Sequence, residues 1–137
     1  ARKETFTVPP FQEVVRTIGL SEGDKVSGSI TVSGGGGNDI DFYVTDPNGN
    51  TILRSDRATQ LSFSFTASTT GTYTLHFDNS FSWISSKSVA LDYTITEPIF
   101  GLAPEHFYLL IIIVVIVVVA IIVAFALKRR KPVTHPQ

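Results

Sequence analysis

The 137-residue chain contains no cysteine, so disulfide bonds contribute nothing to its stability. Small extracytoplasmic domains often depend on such bonds. Without them, the fold must be stabilised by buried apolar surface, and the roughly 95 residues before the apolar segment described next are enough for one modest core. We therefore expect a single folded domain in this part of the chain.

Charged and amide side chains are absent from residues 107–127. A helix of this length rises about 31 Å, which matches a bilayer core of roughly 30 Å. Ile and Val dominate the segment, but a single span in lipid must be helical because each peptide group has to be hydrogen-bonded within its own segment. Since the span has no ionisable residue, we expect a membrane anchor rather than a transport or relay element.

The charges on either side of the span predict its orientation. All twelve acidic residues precede it, against seven of the eleven basic ones, and a basic cluster at 128–131 follows it directly. Because such clusters mark the cytoplasmic side, we expect a cytoplasmic tail and an N-terminal domain at the cell surface or in the secretory lumen. The formal charge of that domain, near −5, argues against nucleic acid as a partner. The residues predicted at the membrane interfaces are Phe107, Tyr108, Lys128, Arg129, Arg130 and Lys131.

The predicted organisation has four parts: an extracytoplasmic domain at 1–96, a short neck at 97–106, the transmembrane helix at 107–127 and a basic tail at 128–137. Ala1 is the kind of residue that signal-peptide cleavage leaves at an N-terminus, and an expression truncation would leave the same start. Cleavage would make this a type I membrane protein.

Helical periodicity is also missing before the span, where apolar residues instead occupy every second position. The alternating segments are 26–32, 40–44, 61–65, 73–77 and 89–95. Turn-forming residues separate them, and the four glycines at 34–37 are predicted to form a mobile hairpin tip. About eight short strands of this kind predict an all-β, antiparallel two-sheet β-sandwich.

Residue patterns that support catalysis are absent from the sequence. His76 lies on a predicted strand and is expected to point toward solvent, while His106 and His135 flank the span on opposite sides of the bilayer. These three residues cannot form one metal site within a single chain, and the sequence has no phosphate-binding loop or paired metal-ligand motif. We expect no enzymatic activity, no cofactor and no small-molecule substrate.

Oxygen-bearing side chains cluster at two successive turns: Asp39, Asp41, Asp46, Asn48 and Asn50. Calcium prefers carboxylates and carbonyls gathered from loops. However, Asp-Pro-Asn-Gly is a common tight turn, and the spacing does not match an EF-hand. A calcium site and a polar loop rim both remain open.

Three large apolar residues, Phe81, Trp83 and Ile84, lie in a loop between serine-rich flanks. Loops seldom carry such groups unless they close the end of a core or contact a partner. We predict this loop as the partner-binding site. Closure of the core and insertion into the lipid interface are the alternatives.

A set of residues within 71–91 resembles the signature of GOLD domains in the single-pass cargo receptors of the secretory pathway. The matching residues are Gly71, Tyr73, Phe77, Asn79, Ser82, Lys87 and Val89. Residues 41–49 resemble that family's earlier strand, which ends in a Pro-Gly turn. The resemblance implies a GOLD-like sandwich, membrane attachment and a role in binding other proteins.

The sequence departs from that family at several places. His76 stands where the receptors usually carry a cysteine of a pair, a short neck replaces their coiled-coil segment, and the tail lacks a Phe pair. Coat-dependent sorting is therefore not expected. Residues 36–44 also resemble the pre-peptidase C-terminal domain, another small β-sandwich.

These observations predict a non-enzymatic, single-pass membrane protein whose sandwich contacts other proteins. It would act as a receptor or adaptor for secreted or membrane cargo, or as an accessory subunit of a membrane complex. The alternative is a surface or envelope adhesion module, either with or without a dependence on calcium.

Overall fold

The computed structural model describes residues 1–99 and 104–130. They form eight strands followed by one helix: β1 (Arg2–Val8), β2 (Glu13–Leu20), β3 (Lys25–Ser33), β4 (Ile40–Thr45), β5 (Thr51–Ala58), β6 (Gln60–Thr66), β7 (Gly71–Asp78), β8 (Lys87–Thr96) and α1 (Pro104–Arg129). The predicted two-sheet β-sandwich with one C-terminal apolar helix is confirmed.

The strands form two antiparallel sheets of four strands each. The first sheet has the order β1-β8-β3-β6, and the second has the order β2-β7-β4-β5. Among the eight described strands, only β4 and β5 are joined as a hairpin, because every other connection between them passes from one sheet to the other. The chain therefore alternates between the sheets and encloses the core between them.

The glycine run at 34–37 does not form the predicted hairpin tip. It connects β3, which pairs with β6 and β8, to β4, which pairs with β5 and β7. The run is thus a crossover between sheets, and Gly34 and Gly35 adopt φ values of 91° and 67° that favour glycine. The prediction was wrong because alternation shows which side chains face inward and not which strands pair.

The core contains the inward-facing side chains of both sheets, as the period of two predicts. Phe42 and Phe77 are fully buried, and their ring centroids are 5.3 Å apart. Phe63 reaches across from the first sheet and places its ring 5.0 Å from Phe42. Each fully buried side chain of this size contributes roughly 1.5 to 3 kcal/mol.

The antiparallel order places alternate connections at opposite ends of the sandwich. The connections β1–β2, β3–β4, β5–β6 and β7–β8 share one end, which we call the Trp83 end. The last residue of β8, Thr96, lies at the other end, and a strand of ten residues spans about 30 Å. The loop that carries Trp83 is therefore far along β8 from the point where the chain leaves the sandwich.

The helix α1 has 26 residues and is long and apolar enough to cross a bilayer. It begins before and ends after the predicted span at 107–127. Glu105 lies in its first turn, and Lys128 and Arg129 lie in its last. These charges are opposite in sign to the partial charges of the helix dipole at each end and therefore stabilise the helix. Its apolar side chains are exposed along its length, as expected for a surface that lipid covers.

Candidate functional site

Three exposed apolar side chains form the most prominent feature of the Trp83 end. Trp83 is 77% exposed, Ile84 is 90% exposed and Phe11 is 62% exposed. Phe11 comes from the β1–β2 connection, and its ring centroid lies 6.2 Å from that of Trp83. We call Phe11, Trp83 and Ile84 the apolar tip. Two of its members were predicted from the sequence, and the structure adds Phe11.

A buried asparagine fixes the loop that carries the tip. The side-chain amide of Asn79 donates to the carbonyl oxygens of Val8, Pro9 and Ser85 at 3.2, 3.2 and 2.8 Å. Its backbone N–H donates to the carbonyl oxygen of Gln12. Asn79 thereby joins the β1–β2 connection to the β7–β8 loop, and both segments contribute to the tip.

Phe81 is the third residue of the predicted partner-binding loop. Its ring packs against the cationic groups of Arg57 and Lys87, and it is not part of the apolar tip. Its half-buried ring is 3.5 Å from the guanidinium carbon of Arg57 and 5.6 Å from Nζ of Lys87. Both cations also contact Asp39, Lys87 at 3.1 Å and Arg57 at 3.3 Å. Such cation–π contacts favour a fixed ring position.

The buried lysine and its carboxylate stabilise the base of the loop electrostatically. The Lys87 residue is only 2% exposed, so its charge requires a partner. Desolvation of Asp39 opposes its ionisation, but the hydrogen bonds from Lys87 and Arg57 outweigh this effect and hold the pKa of Asp39 below its ordinary value. The carboxylate therefore stays ionised and keeps both cations in place.

Two bulky residues at this end have a backbone conformation that L-amino acids rarely adopt. Phe11 has φ of 62° and Arg57 has φ of 55°. The Phe11 N–H donates to the carbonyl oxygen of Ser82, and the Arg57 N–H donates to Oδ1 of Asp41. Residues of this kind cost of order 1 to 3 kcal/mol each and cluster at functional sites. The Trp83 end retains two of them.

The glycine crossover packs directly against the tip loop. A Cβ atom on Gly35 would lie 2.3 Å from Cβ of Ser85, and one on Gly34 would lie 3.2 Å from the carbonyl oxygen of Ser86. Only glycine permits this close approach. The crossover therefore helps to fix the position of the loop.

The exposures separate closure of the core from the other two interpretations of the loop. Phe81 is half-buried, which fits closure of the core end, whereas Trp83 and Ile84 are exposed. Exposed aromatic and aliphatic groups on a fixed loop fit contact with a partner or with the lipid interface.

His76 lies on the outer face of the second sheet, as predicted, but it is not fully solvated. Its side chain is 17% exposed and its ring stacks on Tyr43 with centroids 4.2 Å apart. Nδ1 is 2.8 Å from Oε1 of Glu13, and Nε2 is 2.9 Å from the hydroxyl of Thr45. The strand alternation predicted the direction of the side chain, and its partners on β2 and β4 cover it.

Tyr43 completes this outer cluster. Its hydroxyl donates to Oε1 of Glu13 at 2.6 Å, and the guanidinium of Arg54 lies 5.1 Å from its ring. Burial raises the pKa of Tyr43 to about 12, and the Glu13 carboxylate adds to the rise. Tyr43 is therefore a neutral donor at any physiological pH.

The acidic turn residues are engaged with partners on the protein. Asp39 contacts two cations, and Oδ1 of Asp46 accepts from the backbone N–H groups of Asn48 and Asn50. Over residues 1–99 and 104–130, no group of three or more acidic or histidine side chains is arranged to hold a metal ion. These contacts fit the polar-rim interpretation of the turns.

Most residues predicted at the membrane interfaces lie near the ends of α1. Phe107 and Tyr108 are in its first turns, with ring centroids 6.4 Å apart, and Lys128 and Arg129 are in its last turn. Arg130 follows the helix directly. Lys131 lies outside the described residues.

The sequence analysis did not predict Phe11 or Arg57 as residues of the site. Phe11 carries a weak signal, since it is a single aromatic residue after Pro9-Pro10 in a connection between strands. Arg57 carries none, because its contact with Phe81 depends on how two distant loops meet.

Comparison with known proteins gives a consistent result. Residues 4–100 match the emp24/gp25L/p24 family/GOLD. Human Transmembrane emp24 domain-containing protein 7 is 32% identical over 102 residues, covering 73% of this chain and 46% of the relative. Mouse Transmembrane emp24 domain-containing protein 3 is 34% identical over 91 residues, covering 66% and 41%. Suppressor/enhancer of lin-12 protein 9 of Caenorhabditis elegans is 35% identical over 79 residues, covering 58% and 39%.

The chain spans less than half the length of the curated relatives it matches. Among solved structures, a periplasmic inhibitor of g-type lysozyme from Aeromonas hydrophila aligns with a TM-score of 0.46 at 14% identity, covering 68% of this chain and 85% of that chain. This last likeness is too weak to bear on function.

Proposed function

This chain belongs to the emp24/gp25L/p24 family of GOLD-domain proteins, and from that premise we propose that it binds other proteins through the apolar tip and Phe81. It acts without catalysis, as a single-pass membrane protein of the secretory pathway. Its role is that of a receptor or adaptor for cargo, or of an accessory subunit of a membrane complex.

The exposure of the tip is the observation that carries this proposal. Burying an exposed tryptophan and its neighbours against a partner releases roughly 25 cal/mol per Å² of apolar surface. Because Asn79 and the Phe81–Arg57 contact already fix the loop, little conformational entropy is lost on binding. An exposed aromatic group on a fixed loop, next to other exposed apolar side chains, has the properties of a binding hot spot.

Trp83 is the residue whose replacement tests the proposal. A photo-crosslinking amino acid at position 83, in the full chain within native membranes, should capture one or a few defined proteins. In pull-downs of those proteins, Trp83→Ala should weaken recovery at least tenfold, because hot-spot aromatic residues contribute about 2 kcal/mol or more. The matched control is Ile52→Ala, since Ile52 is an exposed aliphatic residue on β5 away from the tip.

Two outcomes of this experiment would contradict the proposal. One is capture of lipid alone at position 83. The other is equal loss of recovery in the Trp83→Ala and Ile52→Ala variants. Capture in a fixed stoichiometry that resists high salt supports the accessory-subunit role, whereas transient capture of varied soluble proteins supports the receptor role.

We also propose the topology predicted from the charges, with a sandwich at 1–96 outside the cytoplasm, a neck at 97–106, a span at 107–127 and a cytoplasmic tail at 128–137. Protease added outside sealed vesicles of cytoplasmic-side-out orientation should remove an epitope placed after Gln137 and spare the sandwich. Protection of that epitope, with digestion of the sandwich, would reverse the proposed orientation. The basic cluster beside α1 is the physical basis for the expectation.

An adhesion role would use the same tip. The calcium dependence attached to that alternative has no support from the acidic turns, because Asp39 already contacts Lys87 and Arg57.

A further inference from the structure

Three carboxylates lie side by side on the outer face of the second sheet, close to the apolar tip. Glu13 on β2 is the register partner of Asp78 on β7, and Asp78 is the register partner of Asp41 on β4. Adjacent strands are about 4.8 Å apart, so the three residues extend over about 10 Å. We call Glu13, Asp78 and Asp41 the carboxylate row.

The row is only partly neutralised by the protein. Asp41 accepts from the Arg57 N–H and lies 4.0 Å from Nε of the same residue. Glu13 accepts from Tyr43 and contacts His76, and Asp78 accepts from the N–H of Ser80. Within residues 1–99 and 104–130, neither Glu13 nor Asp78 forms an ion pair with a lysine or arginine. Like charges in register destabilise a sheet, so this arrangement costs stability.

The row and the tip adjoin each other. Glu13 is two residues after Phe11, and Asp78 immediately precedes the buried Asn79 at the base of the tip loop. The N–H of Asn79 donates to the carbonyl oxygen of Gln12, which joins the two segments between the row and the tip. A ligand that packs on the tip is therefore within reach of uncompensated negative charge.

We infer that the apolar tip and the carboxylate row form one docking surface for a basic amphipathic segment of a partner protein. Apolar side chains of the segment pack on Phe11, Trp83 and Ile84, and its lysine or arginine side chains pair with Glu13 and Asp78. This inference rests on the proposed function and adds the chemistry of the partner. Charge complementarity selects a cationic protein over an anionic membrane, because the row repels acidic lipid headgroups.

Two synthetic peptides of equal apolar content test the inference, one carrying lysines and the other glutamates between the apolar residues. Binding is measured to the full chain in nanodiscs of zwitterionic lipid, over a range of salt concentrations. The Glu13→Gln/Asp78→Asn double variant removes two charges and keeps the hydrogen-bond acceptors. The Glu22→Gln/Asp92→Asn control removes two charges elsewhere, since Glu22 lies in the β2–β3 connection and Asp92 on the outer face of the first sheet.

The lysine peptide should bind the wild-type chain, and the glutamate peptide should not. The Glu13→Gln/Asp78→Asn variant should slow association of the lysine peptide by about 3- to 10-fold and flatten its salt dependence, as expected for rim charges. The Glu22→Gln/Asp92→Asn control should change association by less than about 2-fold. Equal thermal unfolding midpoints for both variants would show that folding is not the cause.

Three results would overturn the inference. Equal slowing in both double variants would mean that only the overall charge matters. No slowing in either would exclude the row, and position 83 would still capture its protein in the crosslinking experiment, so the proposed function would stand. Binding of the wild-type chain to phosphatidylserine vesicles, abolished by Trp83→Ala, would assign the tip to lipid.

Discussion

Gly28→Val is expected to unfold most of the sandwich at temperatures where the wild-type chain is folded. A Cβ atom at this position would lie 2.6 Å from the carbonyl oxygen of Asp92, 2.7 Å from Cζ of Phe63 and 2.9 Å from Cβ of Tyr93. Relief requires that β3 and β8 separate or that Phe63 leaves the core. Overpacking of this kind costs about 3 kcal/mol or more, whereas the higher strand propensity of valine returns at most about 1 kcal/mol.

The measurement is thermal unfolding of the full chain in nanodiscs, monitored through the near-ultraviolet circular dichroism of the buried aromatic residues. The midpoint should fall by more than about 10 °C for a domain of this size. Gly19→Ala is the matched control, because a Cβ on Gly19 of β2 meets nothing within 4 Å, and its midpoint should stay unchanged or rise slightly. A midpoint for Gly28→Val equal to that of Gly19→Ala would show that the packing around Phe63 does not limit stability.

Gly28 also shows what the sequence contains and what it omits. Its place between Val26 and Ile30 predicts an inward direction, because alternation along a strand is local. A glycine is required at this position because the ring of Phe63, its pairing partner on β6, occupies the space of a side chain. No local sequence pattern shows that these two residues pair. The same limitation produced the wrong hairpin at 34–37, since the choice of pairing strand depends on contacts far apart in the sequence.

The sequence predicted those residues of the candidate site that stand out within their own segment, and it missed those that join the site through contacts distant in sequence. Trp83 and Ile84 are large apolar residues in a loop, which is unusual enough to be seen in the sequence. Phe11 lies about 70 residues away and joins them only because Asn79 ties its segment to the β7–β8 loop. Phe81 lies in the same loop, half-buried, with the guanidinium of Arg57 3.5 Å from its ring, a contact that no local pattern in the sequence records.

Two of the residues that carry the family resemblance have structural roles, Lys87 at the Trp83 end of the sandwich and Gly71 at the opposite end. Lys87 is buried against Asp39 and supports the ring of Phe81. Gly71 leaves room for the Pro47 side chain, which would lie 2.6 Å from an added Cβ. The signature residues Lys87 and Gly71 therefore help to fix the geometry of the loops at the two ends of the sandwich.

Asn79→Ala is expected to destabilise the sandwich by about 3 kcal/mol, because it leaves the carbonyl oxygens of Val8, Pro9 and Ser85 without their shared donor. Each of the three hydrogen bonds contributes about 0.5 to 1.5 kcal/mol. The carbonyl oxygens of Pro9 and Ser85 keep one other donor each, the Gln12 N–H and the Ser82 hydroxyl, so the cost is mainly that of the lost bonds. Oδ1 of Asn79 receives no hydrogen bond from the described residues, so the amide N–H groups account for the side chain's hydrogen bonding. Thermal unfolding in nanodiscs measures the loss, and Asn48→Ala in the exposed β4–β5 turn should change stability by less than about 0.5 kcal/mol.

Asn79→Asp separates the loss of donors from the loss of volume, because it keeps the size of the side chain and replaces the amide with a carboxyl group. A carboxylate facing three carbonyl oxygens in a buried site is disfavoured, so the folded-state pKa of the new group should lie above its unfolded value. The folded protein then binds a proton more tightly than the unfolded chain, and the stability of this variant should rise as pH falls toward the unfolded pKa. Wild-type and Asn79→Ala chains lack that group and should not gain stability in the same pH interval. If Asn79→Asp were as stable as the wild-type chain at neutral pH, hydrogen bonding by Asn79 could not be what holds the two tip segments together.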